Sequence, residues 1–144
     1  MNTIPSDFKV LLNNIDLNKG DTVMLVSDIT KLIIEYKKKK KNFDINSFID
    51  AVLDKIGNDG TLLIPTYNYD FCNGIAFNYL NTPTTTGSLG KIALKRKDFT
   101  RTINPIHSFV VAGKDKDLIC NLEHYSSFGK DSPFHYLYKA KAKY

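Results

Sequence analysis

Gly57-Asn58-Asp59-Gly60-Thr61-Leu62-Leu63-Ile64-Pro65-Thr66-Tyr67 is the stretch on which the reading of the fold turns. Gly57 stands where a helix commonly ends, Asn58-Asp59-Gly60 is a turn, and Thr61–Ile64 is a short apolar run closed by a proline. A run of that length, apolar at successive positions, fits a strand covered on both faces. Upstream, Phe48, Val52 and Ile56 recur at helical spacing, with Asp44 or Asn46 able to open the helix. Further upstream, Thr22–Val26 is a second apolar run of strand length. Strand, helix, strand in that order implies a parallel crossover and hence an α/β class. The expected architecture is a mainly parallel, buried sheet flanked by helices.

Phe109–Ala112, ended by Gly113, is the third apolar run. Helices are expected at Phe8-Leu11-Leu12-Ile15 with Ser6 as its cap, from Ile29 through Leu32 and Ile33, over Gly90–Arg96, around Leu118-Ile119-Leu122, and from Ser132-Pro133, a cap followed by proline at the first helical position. The residues at the strand ends are polar. Ser27, Asp28 and Thr30 follow the first run and Thr66, Tyr67 and Asn68 the second, where an α/β sheet presents its ligand side. Between Asn68 and Gly90 lies a long aromatic and polar loop, a length that is usually functional or mobile. Its rings either line a pocket or pack the loop.

The chain has 144 residues, enough for one domain over 1–144 with a real core, and 42% hydrophobic with 24% charged content places it among globular rather than disordered chains. Its net charge of +5 raises nucleic acid as a partner, yet five of the 20 basic residues form Lys37–Lys41, leaving 15 against 15 acidic ones. Positive charge is not distributed as a phosphate-tracking face requires. No nucleic-acid partner is expected, and the lysine run reads as a solvated loop or a contact for an anionic surface. Cys72 and Cys120 lack metal-ligand spacing and read as reduced thiols; no metal is expected. Met1–Val10 has no leader pattern, and no apolar run approaches the ~20 residues of a membrane span, so a cytoplasmic protein without a membrane partner is expected.

The polar chemistry concentrates in Arg101-Thr102-Ile103-Asn104-Pro105-Ile106-His107-Ser108, ahead of the third strand. Arg101 follows Lys95, Arg96 and Lys97, a clustering that suits an anionic ligand or an exposed helix end. This stretch resembles the R-S-x-H-P-x-x-S-x-x-A-x-G signature of the aminoglycoside 3-N-acetyltransferase family. Gly20–Ser27, Gly57–Tyr67, Thr82-Pro83 with Gly87-Ser88-Leu89-Gly90, and Phe128–Phe134 are similar to its other landmarks, in the same order. The resemblance implies transfer of acetyl from acetyl-CoA, as cosubstrate, to an amino group of an aminoglycoside or similar amino sugar. It implies cofactor contacts from Ser27, Thr30, Arg101, Thr102 and Ser108, and substrate contacts from Tyr67, Asn68 and Asp131.

The sequence departs from that pattern at two places. Val26 and Asp28 replace the outer members of a histidine-serine-serine sequence, and Asp28 either brings negative charge near a CoA diphosphate or caps a helix. Asn104 stands where the family has histidine and cannot titrate. The family's catalytic histidine lies in a later asparagine-threonine-x-x-histidine segment, which this sequence does not contain. The resemblance therefore implies an N-terminal portion of an acetyltransferase domain, with His107 as a weak candidate for the base. Its expected partners are CoA, the amino-sugar acceptor, and a second copy or a complementing C-terminal polypeptide. The rival reading is a CoA-binding module without activity of its own.

Overall fold

The computed structural model describes residues 6–144. The leader reading of Met1–Val10 falls partly, and the Ser6 side-chain cap wholly, outside that description. Three strands meet the expectation. β1 is Thr22–Met24, β2 Thr61–Pro65 and β4 Phe109–Gly113; β3, Thr100–Arg101, is an addition too short and polar to read from sequence. The helices are α1 (Ser6–Asn13), α2 (Thr30–Lys38), α3 (Ile45–Ile56), α4 (Ser88–Ala93), α5 (Lys116–Cys120) and α6 (Pro133–Lys139).

The α/β class holds, with a mixed sheet of order β1-β2-β4-β3. β1 and β2 are parallel, joined through α2 and α3 as expected, whereas β4 runs antiparallel to both β2 and β3. β2 and β3 therefore point the same way, connected through α4, and β4 fills the gap between them. The seven residues joining β3 to β4 explain the direction: an antiparallel pair closes over a short link, and a parallel pair needs a crossover of a dozen residues or more.

β2 is buried at every position because both faces are covered. Leu62 and Ile64 face Phe8, Phe48, Val52 and Ile56 of α1 and α3, while Leu63 faces Ile119 and Leu137 of α5 and α6 beside Phe109 and Val111. α3 starts at Asp44, whose carboxylate accepts the Ser47 N–H at 2.9 Å, so of the two candidate caps Asp44 is the one used. Gly57 ends it at φ 69°, a left-handed backbone value glycine adopts without steric cost.

Several boundaries move. β1 is an edge strand: only Val23 is buried, the ladder stops at Met24, and Val26 is 63% exposed. Among the described residues its outer side carries a single parallel bridge, Val23 to Lys143, made by Met24 N–H to Lys143 O (2.8 Å) and Lys143 N–H to Thr22 O (2.9 Å). Apolar cavities of about 650 and 400 Å³ flank this edge, the first between Leu12, Val23 and Val52, the second between Met24, Phe134 and Leu137. α1 ends before Ile15, which is 48% exposed, and Leu118 turns to solvent. Lys37 and Lys38 are the last turn of α2 rather than loop, cations at the end their charge complements. The Ser132-Pro133 start of α6 is as expected, Ser132 Oγ accepting the His135 N–H.

Candidate active site

The carboxyl ends of β1 and β2 open on a cavity of about 420 Å³, whose far wall is the start of α4. Ser27, Asp28 and Thr30 line it from the β1 side, Tyr67 from β2, and Thr86, Gly87 and Ser88 from the end of the long loop. Leu25, Ile64 and Leu89 make its apolar floor. One Asp28 carboxylate oxygen accepts the Thr30 N–H at 2.9 Å, one residue ahead of Ile29, which holds the N-cap position of α2. The Thr30 hydroxyl and N–H hold its carboxyl below the usual carboxylate range. Burial and neighbouring Tyr69 push the Tyr67 phenol up to about 12, which keeps it a neutral hydrogen-bonding group at any ordinary pH.

The Asn68–Gly90 loop is pinned, not free. Thr86 Oγ donates to Pro65 O (2.7 Å), Thr85 N–H to Tyr67 O (2.9 Å), and Asn68 Nδ2 to Pro83 O (3.0 Å). The strongest pin is Arg101, only 5% exposed. Its Nη1 donates to Thr82 O (2.6 Å) and Tyr79 O (3.4 Å), Nη2 to Thr66 O (3.2 Å) and Nε to Ser108 Oγ (3.1 Å), with the Phe77 ring 4.9 Å from its guanidinium carbon. Ser108 Oγ in turn donates to Thr66 O (2.9 Å), and Thr102 Oγ accepts the Phe109 N–H (2.9 Å).

Beyond Tyr67 the turn 104–108 forms a second cluster. Asn104 Oδ1 accepts the N–H groups of Ile106 (3.0 Å) and His107 (2.7 Å), which turns its Nδ2 toward Ser127 Oγ and His124 Nε2, both at 3.4 Å. His107 Nδ1 lies 2.9 Å from Ser127 Oγ, and its ring stands edge-on to Tyr67 at 5.0 Å and packs against Phe128 at 5.2 Å. Among the described residues neither His107 nor His124 is hydrogen-bonded to a carboxylate.

Of the residues singled out from sequence, Ser27, Thr30 and Tyr67 therefore share one cavity. Arg101, Thr102 and Ser108 lie together but buried, their polar groups committed to protein partners. Asn68 is 1% exposed and engaged within the loop, and Asp131 stands exposed ahead of α6, outside the cavity lining. Sequence reading missed Thr86, Gly87 and Ser88 as cavity wall, although Gly87-Ser88 is a legible helix start. Ser127 carried no local signal, since it meets His107 only through the fold. Among the described residues no three His, Cys, Asp or Glu side chains cluster as metal ligands, and no helix is long and apolar enough to cross a membrane.

The model of the family described as aminoglycoside 3-N-acetyltransferase matches residues 35–144, most of the chain. The chain belongs to the aminoglycoside 3-N-acetyltransferase family. No curated protein matches it. Among solved structures it is similar to the YokD protein from Bacillus subtilis, at 25% identity and a TM-score of 0.72 over 94% of this chain and 59% of that one. It also resembles the aminoglycoside acetyltransferase AAC(3)-Xa, at 21% identity and a TM-score of 0.77 over 95% and 53% of the two chains. A third likeness is to AAC-IIIb in binary complex with CoASH, at 18% and 0.76 over 94% and 55%. The chain thus spans somewhat more than half the length of these family structures, and their fold extends over nearly all of it.

Proposed function

We propose that this chain serves acetyl-CoA-dependent N-acetylation of an amino group on an aminoglycoside or similar amino sugar. The observation that carries the reading is the cavity of about 420 Å³ at the carboxyl ends of β1 and β2, in a chain of this family. Its lining suits an acyl-pantetheine arm, because hydroxyls of Ser27, Thr30 and Ser88 lie beside an aliphatic floor and can bond amides without charge. The CoA structure of AAC-IIIb supports the cofactor class.

Bound acetyl-CoA supplies the acetyl thioester. The acceptor amine must lose a proton to attack it, and a positioned base contributes roughly a hundredfold to ten-thousandfold. His107 is a proposed base only through its contact with Tyr67, since its Nδ1 faces Ser127. Arg101, Thr102 and Ser108 we assign to holding the cavity wall and the long loop in place. The lack of a carboxylate on His107 and His124 among the described residues favours a second reading, a CoA-binding module that another polypeptide completes. Placement in the cytoplasm accords with the thiols and with the cofactor.

Calorimetric titration of CoA into the chain and into Ser27→Tyr, which fills the cavity, tests the proposal. Saturable binding lost in the variant is expected. A folded wild-type chain that binds no CoA would refute it. Acetylation of sisomicin with acetyl-CoA then separates enzyme from module: turnover above the uncatalysed rate sinks the module reading.

A further inference from the structure

The 420 Å³ cavity contains one formal charge. Its thirteen lining residues include Asp28 and no lysine, arginine or histidine. A diphosphate placed against this lining would meet a carboxylate, with Lys31 beside it but outside the lining, whereas an ammonium would meet its counter-charge. One oxygen of Asp28 accepts the Thr30 N–H at 2.9 Å, which fixes the side chain, and the carboxylate lies at the exposed mouth. Beside it stands the Tyr67 ring, an apolar surface for a sugar face.

We propose that Asp28 is an acceptor-binding residue, holding an ammonium group of a polycationic amino sugar at the mouth of the cavity whose interior takes the thioester arm. The inference rests on the acetyltransferase reading and adds to it which group recognises the acceptor. Asp28 is a holder of charge and not the base. Its carboxyl is held ionised by the Thr30 hydroxyl and N–H, with Lys31 adding to the effect, and a carboxylate of lowered proton affinity is poorly matched to taking a proton from an amine. It grips one ammonium of the acceptor while a different amino group, deprotonated, meets the thioester. This also gives a physical meaning to the departure from the family pattern at Asp28.

The test is calorimetric titration of the 144-residue chain and of Asp28→Asn with sisomicin, a polyamine sugar, at low and high salt, alongside CoA. Asparagine keeps an oxygen for the Thr30 N–H, so the α2 start is preserved and thermal unfolding should match wild type. The expected result is sisomicin affinity about two- to fivefold weaker in Asp28→Asn at low salt, the span of a solvent-exposed ion pair, with the difference shrinking as salt screens it. Unchanged sisomicin affinity in Asp28→Asn, no sisomicin binding by wild type, or a variant that instead tightens CoA alone would overturn the role of Asp28. Failure of wild type to bind CoA overturns the acetyltransferase reading itself, which separates the two failures.

Discussion

Replacing Arg101 probes how the long loop is held against the sheet. Arg101 is buried without a carboxylate partner among the described residues, and burial lowers its proton affinity, yet a guanidinium remains charged. In Arg101→Ala, Ser108 Oγ keeps its contacts to Thr66 and Thr66 O keeps the Ser108 hydroxyl, so those groups stay satisfied. Thr82 O and Tyr79 O, on half-exposed residues, lose the guanidinium at about 1 kcal/mol each, the low end of the range for an acceptor left without a partner. The Phe77 contact adds about 1 kcal/mol. Relief of an uncompensated buried charge works the other way. The net expectation is destabilisation of at most about 3 kcal/mol, a fall of up to roughly 1.5 M in the urea midpoint at a slope of about 2 kcal/mol/M. Arg101→Lys should recover little of it, because an ammonium cannot span Thr66, Thr82 and Ser108 at once. Limited proteolysis should cut residues 66–87 faster in both variants. Midpoints within about 0.3 M of wild type, with an unchanged proteolytic pattern, would refute the reasoning.

Three further outcomes are expected. Asp44 is held below the usual carboxylate range by the Ser47 hydroxyl and N–H, so its stabilisation is present above the unfolded carboxyl range and lost as pH falls through the folded value; Asp44→Ala should cost about 1 kcal/mol at pH 7 and progressively less as pH falls below the unfolded carboxyl range, measured by urea unfolding across pH. Burial pushes the Cys120 thiol up to about 11 while Cys72 is exposed, so iodoacetamide at pH 8 should add one adduct to the native chain and two in urea, by mass spectrometry. The thinly covered β1 edge between its two apolar cavities should drive concentration-dependent association in sedimentation, weakened by Val26→Lys, and a monodisperse monomer at high concentration would remove that expectation.

What the sequence determined by itself was the set of elements with strong local causes. Apolar runs at 61–64 and 109–112 became buried strands, Asp44 and Gly57 bounded α3, and Ser132-Pro133 opened α6, because capping, turn chemistry and periodicity act between residues a few positions apart. The ordered motifs likewise marked the family, and the strand ends marked Ser27, Thr30 and Tyr67 as neighbours of one cavity. Only the tertiary structure decided the rest. The direction of β4 depended on which gap it filled, and the exposure of Val26 on β1 being an edge, neither of which is a local property. Arg101 carries the same charge in any context, but the loop folding back over it, with Thr82 O and Tyr79 O closing on its fork, made it a buried clamp. Ser127 met His107 across twenty residues of sequence for the same reason: hydrogen-bond partners brought together by packing leave no trace in the spacing of either residue.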